Sequence, residues 1–424
     1  MGPEQAPADA GVVEAVELCW LDLHLARPHR AAHGEEVARP VVLARVSVGG
    51  VEGWGECAAL EAPTYREEHA AGAWSVLADH LVPRLLGTAV PAVAVGGSGS
   101  ATGDPAAQWT GEAAAVGGGS RGQAPALASA LMPALAAVAA ALAPVQGHPM
   151  AKAALELAVV DAALVAAGCS LADALGVMPD RVPAGAVVGL DADPESVADR
   201  AAAAVDAGYR RVRCKIAPGA DVAVLAAVRR VLPSTMLQAD ANGAYDRTSA
   251  RGLAALDPIG LTCLEQPLPA PDLVGHGLLA RELGTPLCLD ESLRTPADVE
   301  TAAALGAASV VCLKPSCLGG LGSVLAAREL AVTSGLQLFV GGMLQTGLGR
   351  AVDAAVAGLP GFTLPGDLGG PEAAFGEGDP FGPVPWQQGE VVVHRGPGTG
   401  PRPDPALLRK VVTGRRLSRA HRST

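Results

Sequence analysis

Five ionisable residues stand at nearly equal intervals, each closing an apolar run: Lys215 in VRCKIAP, Asp240 in LQADAN, Glu265 in LTCLEQP, Asp290 in PLCLDES and Lys314 in VVCLKPS. Three carboxylates between two amines suit a hard divalent cation with a proton acceptor and a proton donor beside it. Oxygen ligands of this kind favour Mg²⁺, with Mn²⁺ as the alternative. Such a cation makes one difficult step accessible, the removal of a proton next to a carboxylate, which places a second negative charge on that group. A lysine is a base for this step only when neutral. Burial beside a cation lowers its pKa from ~10.4 in the required direction.

The steps between the five residues are 25, 25, 25 and 24, about what one strand, one crossover helix and two short loops consume. Strand ends are often polar because the chain is leaving the core, but five in register point to a common cause. In a closed parallel barrel the C-terminal ends of successive strands converge on one mouth. The runs that qualify as strands are Val182–Leu190, Arg211–Lys215, Met236–Asp240, Leu261–Glu265, Pro286–Asp290, Ser309–Lys314, Leu336–Val340 and Phe362–Leu364. They are continuously apolar rather than alternating, as in strands covered on both faces. Segments with helical spacing, such as Asp221–Val231 and Gly322–Ser334, lie between them. The expected fold is therefore α/β, a parallel α/β barrel spanning residues 151–375.

Residues 12–150 read as an α+β cap, with alternating strands at Val12–Leu25 and Val41–Val48 and helical patterns at Glu67–Leu86, Ala126–Leu142 and Met150–Gly168. The glycine-rich stretch Gly49–Glu56 is expected to reach over the barrel mouth as a lid. A Gly-, Ala- and Ser-rich insertion at about 95–125 has too little apolar surface to fold on its own. Residues 376–400 are expected to return to the cap. The last stretch, 401–424, gathers seven Lys or Arg residues and reads as a basic, poorly ordered tail.

The chain has 424 residues, 50% of them hydrophobic, and a formal net charge of -12. That charge argues against nucleic acid as the main partner. Much of the apolar fraction is alanine, and no run reaches the ~20 residues of a spanning helix. The first residues, MGPEQAPADAG, have neither the basic start nor the apolar centre of a secretory leader. Eight cysteines without paired spacing fit buried thiols in a reducing cytoplasm better than disulfides or zinc. His33, His69 and His148 have no metal-like spacing, and GGSGS near Gly96 lacks the strand and lysine of a phosphate loop. The expected partner is a small-molecule carboxylate, with no membrane, and the expected assembly is a homo-oligomer.

The order Lys215, Asp240-Ala-Asn242, Glu265-Gln-Pro, Asp290-Glu-Ser and Lys314-Pro resembles the enolase superfamily, in its branch with lysines on the second and sixth barrel strands. The segments GWGECAALEAPTY, GHPMAKAALELAVVDA, LEQPL, LCLDESLRT, GGMLQTGLGR and LPGFTLPGDL narrow this to a resemblance to o-succinylbenzoate synthases of the type that shares its family with N-acylamino acid racemases. It runs from about Val13 to Trp386, outside the insertion and the tail. It implies a (β/α)7β modified TIM barrel with an α+β N-terminal capping domain, Asp240, Glu265 and Asp290 as ligands of Mg²⁺, and Lys215 and Lys314 as catalytic residues. In a synthase Lys215 removes the proton and then protonates the departing hydroxyl of a succinyl-hydroxycyclohexadiene carboxylate. Lys314 stays charged and stabilises the enediolate, and the product feeds menaquinone biosynthesis. In a racemase both lysines exchange protons, and these motifs do not separate the two. A non-catalytic descendant that only binds ligand is the alternative of another class, and the two intact lysines weigh against it.

Supporting residues expected near the centre are Arg213, Asn242, Glu291, Gly342 and Gln345. Asn242 is spaced either to reach the metal's surroundings or to cap a loop, and Gly342 permits close backbone approach to a ligand. Three positions depart from the family pattern. Arg213 stands where relatives usually carry lysine, and Gln345 where many carry glutamate. Cys317 stands where racemases tend to carry the arginine that keeps the neighbouring lysine reactive.

Overall fold

The computed structural model describes residues 11–31, 34–93, 128–370 and 374–420. The insertion expected at about 95–125 lies outside them. The cap begins with three antiparallel strands, β1 (Gly11–Ala31), β2 (Gly34–Val48) and β3 (Val51–Cys57), paired in that order. Both faces of β1 are covered. Val13, Val16 and Leu18 pack with the cap helices, while Cys19, Leu21 and Leu23 pack with Trp54, Phe375 and Phe381.

Residues Gly49–Glu56 do not form a lid. Gly49 and Gly50, with φ of 55° and 79°, make the two-residue turn that joins β2 to β3, and the rest is strand. Gly53 and Gly55 lie against the helix Pro149–Ala166, where an added Cβ would sit 2.1 Å from the Ala158 carbonyl and 2.0 Å from that of Ala154. These glycines serve strand-to-helix contact instead of reach over the mouth. That helix is apolar nearly all round because it is sandwiched between the cap sheet and the barrel. Its buried Asp161 accepts from the Trp54 amide at 2.8 Å, the Thr399 amide at 2.7 Å and Arg402 Nη1 at 2.6 Å. One carboxylate thus ties β3, the helix and the C-terminal segment together.

The barrel strands are β4 (Gly185–Val188), β5 (Arg211–Lys215), β6 (Met236–Asp240), β7 (Cys263–Glu265), β8 (Leu287–Leu289), β9 (Val310–Leu313) and β10 (Gln337–Val340). They form one parallel sheet in sequence order. The first expected strand, Val182–Leu190, is split. Arg181–Pro183 pairs antiparallel with Glu390–Val392, and only Gly185–Val188 enters the barrel. The eighth, Phe362–Leu364, is reduced to single bridges, Leu338 to Phe362 and Ala184 to Gly366. Pro365 has no N–H to continue a ladder there. Those bridges close the curled sheet between β10 and β4.

Residues 401–420 of the basic tail are structured, contrary to expectation. Asp404 caps the helix Pro405–Val411 by accepting from Ala406 and Leu407 N–H, and Leu408 is buried. Strand β11 (Val412–Arg419) then pairs antiparallel with the outer edge of β1. Two of the charges that suggested a solvated tail have partners: Arg415 on Glu17 at 3.0 Å and Arg416 on Asp79 at 2.9 Å. Among the described residues no helix is long and apolar enough to cross a membrane.

Candidate active site

Register places the five residues of the sequence pattern together. Lys215 pairs with Asp240 and Asp240 with Glu265 across β5, β6 and β7. Asp290 and Lys314 each follow the end of the next strand along. The three carboxylates are 0%, 0% and 2% exposed. Lys215 and Lys314, from strands separated by three others, both line a cavity of about 840 Å³ above them.

Each lysine holds one of these carboxylates. Lys215 Nζ lies 2.6 Å from Asp240 Oδ2 and donates to Asn242 Oδ1 at 2.8 Å. Lys314 Nζ lies 2.5 Å from Asp290 Oδ2 and donates to Tyr65 Oη at 2.6 Å. Burial alone would raise the Asp240 carboxyl, but Lys215 and Arg213 bring it down to about 2. Lys314 and Arg66 likewise outweigh burial at Asp290 and lower it. Glu265 goes the other way: burial, helped by the charges of Asp240 and Asp290, outweighs Arg213 and raises it. Burial alone would lower Lys314, but Asp290 together with Tyr65, Cys312 and Cys317 outweighs it and raises the ammonium.

Arg213 is a strut under the carboxylates. Its Nη1 lies 2.6 Å from Glu265 Oε1 and 3.1 Å from Asp240 Oδ2, and its Nη2 lies 2.7 Å from Asp367 Oδ2. Arg211, two residues earlier on the same face, bonds Asp367 and Gln238, and Gln238 bonds Glu265. Asn242, in a left-handed conformation, connects Lys215 to Glu291 Oε1 at 2.9 Å. Burial and then Asp290 raise Glu291 to about 7. Gln345 is buried, and its Oε1 accepts from the Met343 amide at 3.0 Å. Gly342 lines the cavity, and a Cβ there would meet Arg350 Nη1 at 2.1 Å and the Asp367 carbonyl at 2.3 Å. Cys317 is buried on the short helix after Lys314. Burial pushes its thiol up, and the charges opposing that are Arg66 and Lys314.

Sequence reasoning missed Tyr65 and Arg66, which the cap delivers across more than 220 residues of chain. Tyr65 Oη donates to Asp290 Oδ2 at 2.9 Å, and Arg66 Nη2 donates to the Leu293 carbonyl at 3.2 Å. Burial raises the Tyr65 phenol, and Asp290 adds to it. It missed Asp367 and Gln238 as well. One signal was available: Arg211, Arg213 and Lys215 alternate along one strand, so all three point into the barrel and require acids there.

Glu265 and Asp290 of the expected ligand set fit a cation, while Asp240 is not among the atoms gathered with them. Asp290 Oδ1 is buried and has no hydrogen-bond partner among the described residues. Glu265, Asp290 and Cys312 each offer one atom within 4.8 Å of the others.

A family model described as "Enolase C-terminal domain-like" matches residues 196–407. An N-succinylamino acid racemase from an Amycolatopsis species is 37% identical over 404 residues, covering 95% of this chain and 98% of that one. An o-succinylbenzoate synthase from Bacillus subtilis is 32% identical over 402 residues, covering 95% and 97%. A crystal structure of an enolase superfamily member from Listeria innocua superposes with a TM-score of 0.81 at 29% identity, covering 96% of this chain and 99% of that one.

Proposed function

We infer that this chain, which belongs to the enolase superfamily, is an o-succinylbenzoate synthase that removes water from 2-succinyl-6-hydroxy-2,4-cyclohexadiene-1-carboxylate to give 2-succinylbenzoate for menaquinone biosynthesis. The observation that carries the reading is the pair Lys215 and Lys314 lining one cavity above the buried Asp240, Glu265 and Asp290. Those three carboxylates would hold Mg²⁺ or Mn²⁺, and the ion supplies positive charge where the substrate carboxylate gains its second negative charge.

The chain's own residues do the rest. Lys215 takes the proton from the carbon bearing the carboxylate, and the resulting ammonium returns it to the departing hydroxyl, so that water leaves and the ring becomes aromatic. Asn242 fixes the Lys215 amine from one side, with Glu291 behind it. Lys314, kept charged by Asp290 and bonded to Tyr65, stabilises the enediolate by its charge and exchanges no proton. Tyr65 and Arg66 close this side of the site with groups from the cap, away from bulk water.

A second reading, N-succinylamino acid racemisation, is favoured by one observation. Arg66 brings a guanidinium near Cys317, where the racemase pattern has its arginine. Loss of the cyclohexadiene absorbance in the presence of Mg²⁺ tests the first reading, and deuterium uptake from D₂O into each enantiomer of an N-succinyl amino acid tests the second. Dehydration without fast exchange is the expected result. Rapid exchange of both enantiomers with no dehydration would reverse the assignment, and Cys317→Arg should raise exchange on the Lys314 face more than it alters dehydration.

A further inference from the structure

A layer of thiols lies beneath the carboxylates. Strands β7, β8 and β9 run into Cys263-Leu-Glu265, Cys288-Leu-Asp290 and Cys312-Leu-Lys314. A period of two puts each thiol on the same face as the ionisable residue, one step toward the barrel floor. The three cysteines are buried and pack with Val310, Phe339 and Leu364 in a cluster of their own. Cys312 Sγ stands within 4.8 Å of a carboxylate oxygen of Glu265 and one of Asp290, a span that a single cation can bridge. Asp240 is not in this trio; Lys215 and Arg213 pair with it. One further feature points to a ligand. Asp290 Oδ1 is buried without a partner among the described residues. Gly341, after β10, packs its backbone against the sulfur, since a Cβ there would come 2.3 Å from Cys312 Sγ and 2.6 Å from Lys314 Cε.

We propose that Cys312, with Glu265 and Asp290, forms a binding site for thiophilic divalent ions such as Zn²⁺, Cd²⁺ and Co²⁺, overlapping the all-oxygen site read above for Mg²⁺. The inference rests on that reading of Glu265 and Asp290 as cation ligands. Sulfur selects softer ions, whereas Mg²⁺ keeps to oxygen, so one centre has two ligand sets that differ by a thiol. On binding, the S–H bond breaks, the sulfur lone pair forms the metal–sulfur bond, and the proton leaves to solvent. The ion carried by the protein would then depend on the soft metals around it as well as on Mg²⁺.

The test is a titration of the metal-free protein with Cd²⁺, followed by the ultraviolet charge-transfer band of a thiolate bound to cadmium. One equivalent should develop the band, and excess Mg²⁺ should bleach it because Glu265 and Asp290 are shared. Cys312→Ser and Cys312→Ala, checked for folding by circular dichroism, should lose the band and weaken Cd²⁺ binding by about tenfold or more. Mg²⁺ affinity measured by calorimetry should stay within about twofold in Cys312→Ser. No band at one equivalent in the unmodified protein would overturn the proposal, and so would a band that Mg²⁺ does not displace or that survives in both variants. The readout is spectroscopic, so it stands or falls independently of turnover.

Discussion

Asp367→Asn is the sharpest probe of the buried charges beneath the site. Asp367 is 5% exposed and lies between two guanidinium groups, Arg211 at 0% and Arg213 at 4%. Neutralising one member of a buried pair generally costs 3–5 kcal/mol, because the partner charge stays behind uncompensated. The two arginines differ in what they would retain. Arg213 keeps Glu265 at 2.6 Å and Asp240 at 3.1 Å. Among the described residues Arg211 keeps Gln238 and the face of Phe339, 4.4 Å from its guanidinium carbon. One stranded cation with a polarisable neighbour puts the expected cost near the lower end, about 3 kcal/mol. Urea unfolding is the assay, since an ionic denaturant would screen the effect. With a slope of roughly 3 kcal/mol per molar, the midpoint should fall by about 1 M. Adding Arg211→Met removes the stranded charge, so the double variant should recover at least ~1.5 kcal/mol relative to the sum of the singles. A shift within ~0.5 kcal/mol for Asp367→Asn, or an additive double variant, would refute the charged network described here.

Three further outcomes are expected. Lys215→Ala should lower dehydration by far more than tenfold, which is ~1.4 kcal/mol of barrier, and Lys314→Ala should come close to it; retention of a tenth of the rate by Lys215→Ala in steady-state kinetics would remove its role as base. Burial raises the Glu156 carboxyl from 4.5 to about 7 against hydrogen bonds from the Gly322 and Leu321 amides. Its stabilising effect is therefore full below the unfolded pKa and is lost as pH rises towards 7; Glu156→Gln should flatten that part of a thermal-melt series between pH 5 and 8. Gly55→Ala must push a Cβ to 2.0 Å from the Ala154 carbonyl. It should cost about 1–3 kcal/mol in denaturant unfolding, and a neutral result would mean that the strand and helix are less closely packed than described.

The barrel and its five inward-facing residues were legible because a βα unit has a nearly constant length and a buried strand cannot hide its polar end. The same logic failed where a single atom decides. Pro365 lacks the N–H that an eighth strand would need, and a proline in an apolar run carries little weight until its neighbours are known. The composition of Gly49–Glu56 suggests a lid over the barrel mouth, yet glycine there answers a helix roughly 100 residues further along the chain. Arg415 and Arg416 looked like solvated charge because their acids, Glu17 and Asp79, lie more than 330 residues away. Tyr65 and Arg66 were unreadable for a similar reason: nothing local distinguishes them until the cap is set on the barrel.

Strand β11 pairs with the outer edge of β1, and that edge has a history as well as a place. During synthesis β1 and β2 are complete once Val48 has been added, but their neighbour begins only at Val412, 364 residues later. At about 5–20 residues per second the ribosome leaves an unpaired edge open for roughly 20 to 75 seconds. An open edge is a template for any other extended chain. The cap strands, although made before the barrel, are therefore completed after it, and aggregation during expression is a competitor that β11 must outrun.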